Sequence, residues 1–484
     1  MRKPLFRFMP LAAAVLLAGC AVGPDYARAP LDLPATWTPA AGDARRADSV
    51  GDAWWSLHAD PVLDRLIDEA LAHNADLRVA AARVLEARAL AGIADADRYP
   101  SVSAGLAGSR DQATLRGSMP RPADLPRIQN TYRGTLDVAY EVDFWGKYRR
   151  ASEAARADLL AAESAQAAVR LSLTAQVAQQ YFALLAADAQ EAVARRALTS
   201  REETLALFGK RLEAGTASTF ELRQSEAEAA DARAQLATLT QARERNESAL
   251  ALLLGRSPRD VLSGRAERGT PATLSAVVIP AGLPSDLLLR RPDLREAEQR
   301  LIAANARIGA ARAQYFPSLG LTAMLGSESV AFSNLFSGPA GIFQFAAAIS
   351  QPIWNAGRIG FGVEAAEARH EQALAQYRQA VAAAFRDVRD ALTAQQATGE
   401  RLAAETARAG ALEAALTQVR LRYDAGIASR LEVLDVERNL LAVELSRIDS
   451  ERARRSALAD LFKALGGGWE AGAAQDAPAP AAAR

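Results

Sequence analysis

Several things are scarce in these 484 residues, and each scarcity excludes a class of answer. There is one cysteine, so no disulfide and no cysteine-rich metal site can form within a chain. Three histidines, His58, His73 and His370, are scattered, and the string HEQAL from His370 lacks the second histidine of a zinc-protease helix. Formal charge is balanced, 57 basic against 57 acidic residues, which leaves no electrostatic footprint for nucleic acid as a partner. Aromatic residues make up only 6%; with Ala, Arg, Leu and Glu dominant, that composition calls for long packed helices rather than a compact mixed core. The Gly-Lys pairs at Gly146 and Gly209 lack the upstream glycine of a phosphate-binding loop, and there is no GxSxG elbow. Glu and Arg alternating along helices are solvated faces or i,i+4 pairs. No catalytic residue, metal site or cofactor is expected, and the chain is not expected to be an enzyme.

What is present begins at the N-terminus. Arg2, Lys3 and Arg7 precede an apolar run from Leu11 to Ala18 that is too short to span a bilayer, which needs ~20 residues, but fits a signal-peptide core. The run ends in LAGC at Cys20, a string that resembles a bacterial lipobox. That resemblance implies cleavage after residue 19, a covalent lipid on Cys20 and, with Ala21 rather than Asp following, sorting to the outer membrane. The alternative is an ordinary export signal with a stray cysteine.

The chain also repeats itself. RLEAGTAS from Arg211 returns as RYDAGIAS from Arg422, so that Gly215 and Gly426 lie 211 positions apart. The same offset pairs Lys147 with Arg358, Glu221 with Glu432, Glu226 with Glu437 and Gly255 with Gly466, while an offset of 217 pairs Asp76 with Asp293 and Pro100 with Pro317. This is a tandem duplication whose period far exceeds the 20 to 50 or so residues of solenoid repeats, so each half is a set of elements. The expected division is a signal peptide at 1–19, an extended lipid-anchored segment at 20–60, one repeat at 61–282, a second at 283–469 and a disordered tail at 470–484.

Within the first repeat a helix is predicted from about Pro61 to Arg98, with Leu63, Leu66, Ile67 and Leu71 at helical spacing. Thr131 to Phe144 alternates strictly: Tyr132, Leu136, Val138, Tyr140, Val142 and Phe144 share one face, and Thr131, Arg133, Thr135, Asp137, Glu141 and Asp143 the other. A period of two makes this a strand with an apolar and a polar side. A weaker strand with Val102 and Leu106 precedes it. Arg150 to Phe208 contains neither Gly nor Pro, and its 59 residues reach ~88 Å as a helix. A second such run goes from Thr216 to Leu254. Gly215 suits a left-handed helix stop and Ser218 or Thr219 the next N-cap, so the repeated octet marks the tip of a helical hairpin. The second half follows the same order: a helix from about Leu294 to Tyr315, strands at Leu319–Leu325 and Ile342–Trp354, and a hairpin from about Val363 to Leu465 turning at Gly426, with Gly399 and Gly410 marking a candidate bend.

Four two-faced strands per chain do not close a membrane barrel, which needs about eight or more and tolerates no open edges. Two, three or four chains would give 8, 12 or 16 strands. A soluble β-sandwich is the alternative.

The strings WWSLHADPVLDRLIDEALAHNADL from Trp54, VDFWGKYRR from Val142, RRPDLREAEQRLIAANARIGAARAQYFPSLGL from Arg290 and QPIWNAGR from Gln351 resemble the outer-membrane factors of tripartite efflux pumps, the TolC- and OprM-like channels, in their NodT-type lipoprotein branch. The likeness runs from Cys20 to Leu465. It implies a mixed architecture: a homotrimer sharing one 12-stranded β-barrel, four strands per chain, above a long periplasmic α-helical barrel made of two hairpins per chain. It implies passive conduction of drugs or other small molecules, with a periplasmic adaptor, an inner-membrane efflux pump of the RND type and outer-membrane lipid as partners. On that footing Arg211, Gly215, Ser218, Arg422, Gly426 and Ser429 are candidate adaptor-docking residues, and Asp424, replaced by Glu213 in the first repeat, is a candidate periplasmic gate. The rival readings are a lipid-anchored periplasmic adaptor, expected to carry one hairpin, and a coiled-coil scaffold, expected to lack strands.

Overall fold

A computed structural model describes residues 21–28, 30, 31, 51, 53–114, 116, 126–272 and 291–468. The signal segment 1–19, Cys20, the repeat boundary at 282/283 and the tail 470–484 lie outside the described residues. In chain order the structure contains α1 (Pro61–His73), α2 (Ala75–Ala96), β1 (Ser101–Gln112), β2 (Ile128–Val142), α3 (Lys147–Glu213), α4 (Thr219–Leu253), a short α5 (Pro258–Ser263), α6 (Pro292–Ala313), β3 (Ser318–Ser329), β4 (Gly341–Ser350), α7 (Arg358–Asp424) and α8 (Arg430–Leu465). Helix, two strands and two long helices thus occur twice, as the duplicated sequence requires.

Two local expectations need correction. The helix expected from Pro61 to Arg98 is two helices, broken at Asn74, whose ψ of 135° leaves the helical region. Asn74 is buried, its Nδ2 donates to Leu253 O at 2.8 Å and its Oδ1 accepts from Leu77 N, so one side chain caps α2 and ties it to the end of α4. Helix α3 continues through Gly209 to Glu213, and α7 runs without a break through Gly399 and Gly410; both are 67 residues long. A lone glycine costs a helix only about 1 kcal/mol, too little to end one of that length. Strand β2 begins three residues earlier than expected and stops at Val142, while β4 stops at Ser350, short of Trp354.

The described residues fall into two compact units. One draws on the described residues within 1–30, 84–162 and 297–377, the other on those within 31–83, 163–296 and 378–484. The first contains a four-stranded antiparallel sheet in the order β1-β2-β3-β4. Its register sorts side chains by face. Val102, Val138, Ala323 and Phe345 lie in one row, Ala104, Leu136, Leu325 and Phe343 in the next, and Tyr140, Leu321 and Ala347 in another; Ser103, Asp137, Met324 and Gln344 occupy a row of the opposite face, as do Arg133 and Glu328. Leu106, Leu325, Phe343 and Phe345 on the apolar face are all exposed. In a soluble sandwich that face would be covered by a second sheet; here it is bare.

The second unit is held by a core in which Trp54, Leu63 and Ile67 meet Tyr181, Phe182 and Leu184 of α3, Leu250 and Leu254 at the end of α4, and Leu461 and Phe462 of α8. Trp54 stacks on Phe462 at 5.2 Å. Truncating an aromatic ring so enclosed costs about 3 to 5 kcal/mol. Tyr181 donates to Asp60 Oδ2 at 2.7 Å and accepts from Gly269 N at 2.8 Å. This knot joins the bases of the α3/α4 and α7/α8 hairpins and leaves the opposite ends as tips.

Candidate functional site: the paired hairpin tips

Each tip is built the same way. Gly215 adopts φ +71° and Gly426 φ +76°, conformations that an L side chain resists. The N–H of Thr216 reaches back to Arg211 O at 2.8 Å and that of Gly215 to Leu212 O at 2.9 Å; Ile427 and Gly426 repeat the pair on Arg422 O and Tyr423 O at 2.8 and 2.9 Å. These are Schellman stops, which use up carbonyls that a helix end leaves unpaired. The next helix starts at once, with Ser218 and Ser429 as N-caps. Glu221 N donates to Ser218 Oγ while Ser218 N donates to Glu221 Oε2 at 2.7 Å, and Glu432 with Ser429 forms the matching capping box at 2.9 Å. Those donors, the Ser backbone N–H first, hold both carboxyls below the usual glutamate range.

All seven tip residues singled out from the sequence, Arg211, Gly215, Ser218, Arg422, Asp424, Gly426 and Ser429, are exposed, and open space surrounds both glycines. The serines therefore have a structural role besides any docking role. Arg211 lies over the Phe208 ring at 5.7 Å. Helix α3 ends on Glu213 and α7 on Asp424, so each puts a negative charge at its own negative dipole end, at a cost of about 0.3 to 1 kcal/mol.

An ion cluster that sequence reasoning missed ties the hairpins together. Arg201 of α3 contacts Glu228 of α4 at 2.9 Å and Glu437 of α8 at 2.8 Å, and Glu437 also receives Arg420 at 3.0 Å and Arg430 at 3.9 Å. The seven-residue spacing of Arg430 and Glu437 on one helix face was legible as a signal; the approach of Arg201 was not. Among the described residues no group of three or more His, Cys, Asp and Glu is placed to hold a metal, and no helix is long and apolar enough to cross a membrane.

A family model for outer membrane efflux proteins matches the chain twice, over residues 66–256 and 283–467. The chain belongs to that family. The channel is 36% identical over 466 residues to the cation efflux system protein CusC of Escherichia coli O6:H1 strain CFT073, covering 96% of this chain and 99% of the relative. It is 36% identical over 471 residues to the solvent efflux pump outer membrane protein SrpC of Pseudomonas putida, covering 96% and 98%. Its fold matches the crystal structure of the Campylobacter jejuni CmeC outer membrane channel with a TM-score of 0.88 at 26% identity, covering 94% of this chain and 96% of that one. This protein is an outer-membrane efflux channel, whose work is transport rather than catalysis. The adaptor and scaffold readings fall with that result: the channel has two hairpins and a two-faced sheet.

Proposed function

We propose that three copies of the channel, β4 of each pairing with β1 of the next, close a 12-stranded barrel whose apolar rows face lipid and whose Asp137, Glu141 and Arg133 rows line the lumen. The carrying observation is the bare apolar face together with two sheet edges, β1 and β4, in a chain with no membrane-spanning helix among its described residues. Cys20 carries the lipid and is the mature N-terminus. The hairpins extend into the periplasm, where the six tips of a trimer dock a periplasmic adaptor that connects them to an inner-membrane pump of the RND type. Open backbone at Gly215 and Gly426, flanked by Arg211 and Arg422, supports this role. The three Asp424 carboxylates ring the closed mouth and favour cations; their placement against the helix dipole supports a purpose other than stability. Relatives at equal identity are named for cation and for solvent efflux, which supports a channel that conducts what a pump delivers rather than one that selects its cargo.

Efflux in cells expressing Gly426→Leu tests the docking role. The variant is strained but meets no neighbour, so trimers are expected in the outer membrane with efflux abolished. Full efflux from assembled Gly426→Leu trimers would falsify it.

A further inference from the structure

The two places where a strand hands over to a long helix match in sequence, Gly146 and Lys147 with Gly357 and Arg358, and both glycines have positive φ, +79° and +83°. They differ in what covers them. At the β2–α3 junction Ala21 lies against Gly146, where an added Cβ would come within 3.1 Å of it, and Val22 N donates to Trp145 O at 3.0 Å. Trp145 stacks on Phe316, and Lys147 is bonded to Glu141 at 3.0 Å. At the β4–α7 junction the atoms nearest a Cβ on Gly357 all belong to Phe361 of the helix that follows, from 3.1 Å. Ile353 and Trp354 are 89% and 86% exposed, Phe361 is exposed as well, and the Arg358 guanidinium makes no hydrogen bond or ion pair among the described residues.

Continuity and charge identify the occupant. The patch follows Ile349, the last row of the apolar sheet face, so it prolongs the surface that meets lipid. Trp is favoured where hydrocarbon gives way to headgroups, and an unpaired guanidinium at that level matches a phosphate. We propose that the β4–α7 junction is a phospholipid seat, with Ile353, Trp354 and Phe361 against the glycerol and upper acyl region and Arg358 on the headgroup phosphate. The proposal rests on the reading that the sheet spans the membrane.

The test uses the full chain in vesicles of phosphatidylethanolamine and phosphatidylglycerol brominated on the acyl carbons nearest the glycerol. Emission lost on Trp354→Phe isolates the Trp354 signal, which is expected to be quenched by the bromines. Arg358→Gln is expected to lower phosphatidylglycerol retention in native mass spectra about five-fold. Absence of Trp354 quenching while a Phe345→Trp probe in the sheet is quenched overturns the seat and leaves the membrane reading standing; absence of both overturns the membrane reading itself. Protection of Trp354 from acrylamide without bromine quenching assigns the patch to a second copy of the chain and overturns the lipid. Unchanged retention in Arg358→Gln overturns the headgroup assignment.

Discussion

The two hairpins are copies at their tips and strangers a few turns away. At the tips, Schellman stop, left-handed glycine and capping box recur almost bond for bond, because Gly, Ser and Glu keep their spacing in both copies. Glu226 and Glu437 are also copies of one position. Yet Glu226 makes an exposed i,i+3 pair with Arg223, whereas Glu437 is clamped by Arg201, Arg420 and Arg430 and is nearly out of water. Local backbone chemistry survives duplication unchanged, and what a side chain is worth depends on which neighbour the fold supplies. The surfaces diverge in the same way: Thr216 turns its hydroxyl onto Arg211 O at 3.1 Å, and its counterpart Ile427 stands 69% exposed.

The largest expected effect lies at the hairpin bases. His58 is fully buried against Phe182, and neither ring nitrogen has a hydrogen-bond partner among the described residues. Burial first, then the Arg455 charge, lowers its pKa from 6.5 to about 4, against a smaller opposing pull from Asp60. Between those values the unfolded chain binds a proton that the fold refuses, so stability is full above about pH 6.5 and falls as pH drops toward 4. The whole shift corresponds to about 3 kcal/mol. Denaturation in urea across pH 7 to 4 should show this loss, and His58→Leu should flatten it; an unchanged profile in that variant would remove His58 as the cause.

Next comes the duplicated glutamate. Glu437→Gln should cost about 2 kcal/mol, because it leaves a mostly buried Arg201 with one carboxylate, while Glu226→Gln should stay within about 0.5 kcal/mol. Equal costs would show that the clamp contributes nothing to holding the hairpins together. Below this, Gly215→Val and Gly426→Val should each lose about 1 to 2 kcal/mol from the left-handed φ alone, read as hydrogen exchange at the tips. A difference between them would mean the two turns are not equivalent. The smallest effect is at the caps: Ser218→Ala and Ser429→Ala should each cost about 1 kcal/mol. Both capping carboxyls have lowered pKa values, so their contribution is present above the ordinary glutamate pKa and disappears as pH falls through the lowered one. Protection of both tips should fade together on acidification, a response that Glu221→Gln and Glu432→Gln should lack.

Much of this was readable beforehand. The period-two alternation of Tyr132 to Val142 gave the face assignment that the sheet register reproduces, and the repeated octet gave both turns, because strand faces and helix stops depend on residues a few positions apart. The break at Asn74 is not legible in the sequence, because its side chain is fixed by Leu253, 179 residues away. Gly399 and Gly410 do not interrupt α7, since propensity is weak beside the packing of a long helix.

By itself, then, the sequence determined the duplication, the order of elements, the two-faced strands and the backbone of each tip, all consequences of short-range sterics and hydrogen bonding. Only the tertiary structure decided that Glu437 is clamped by three arginines while Glu226 keeps an exposed pair with Arg223, that His58 is walled in beside Phe182, and that Gly146 is covered while Gly357 is bare. These depend on desolvation and on partners distant in the chain, which identical local sequence does not specify.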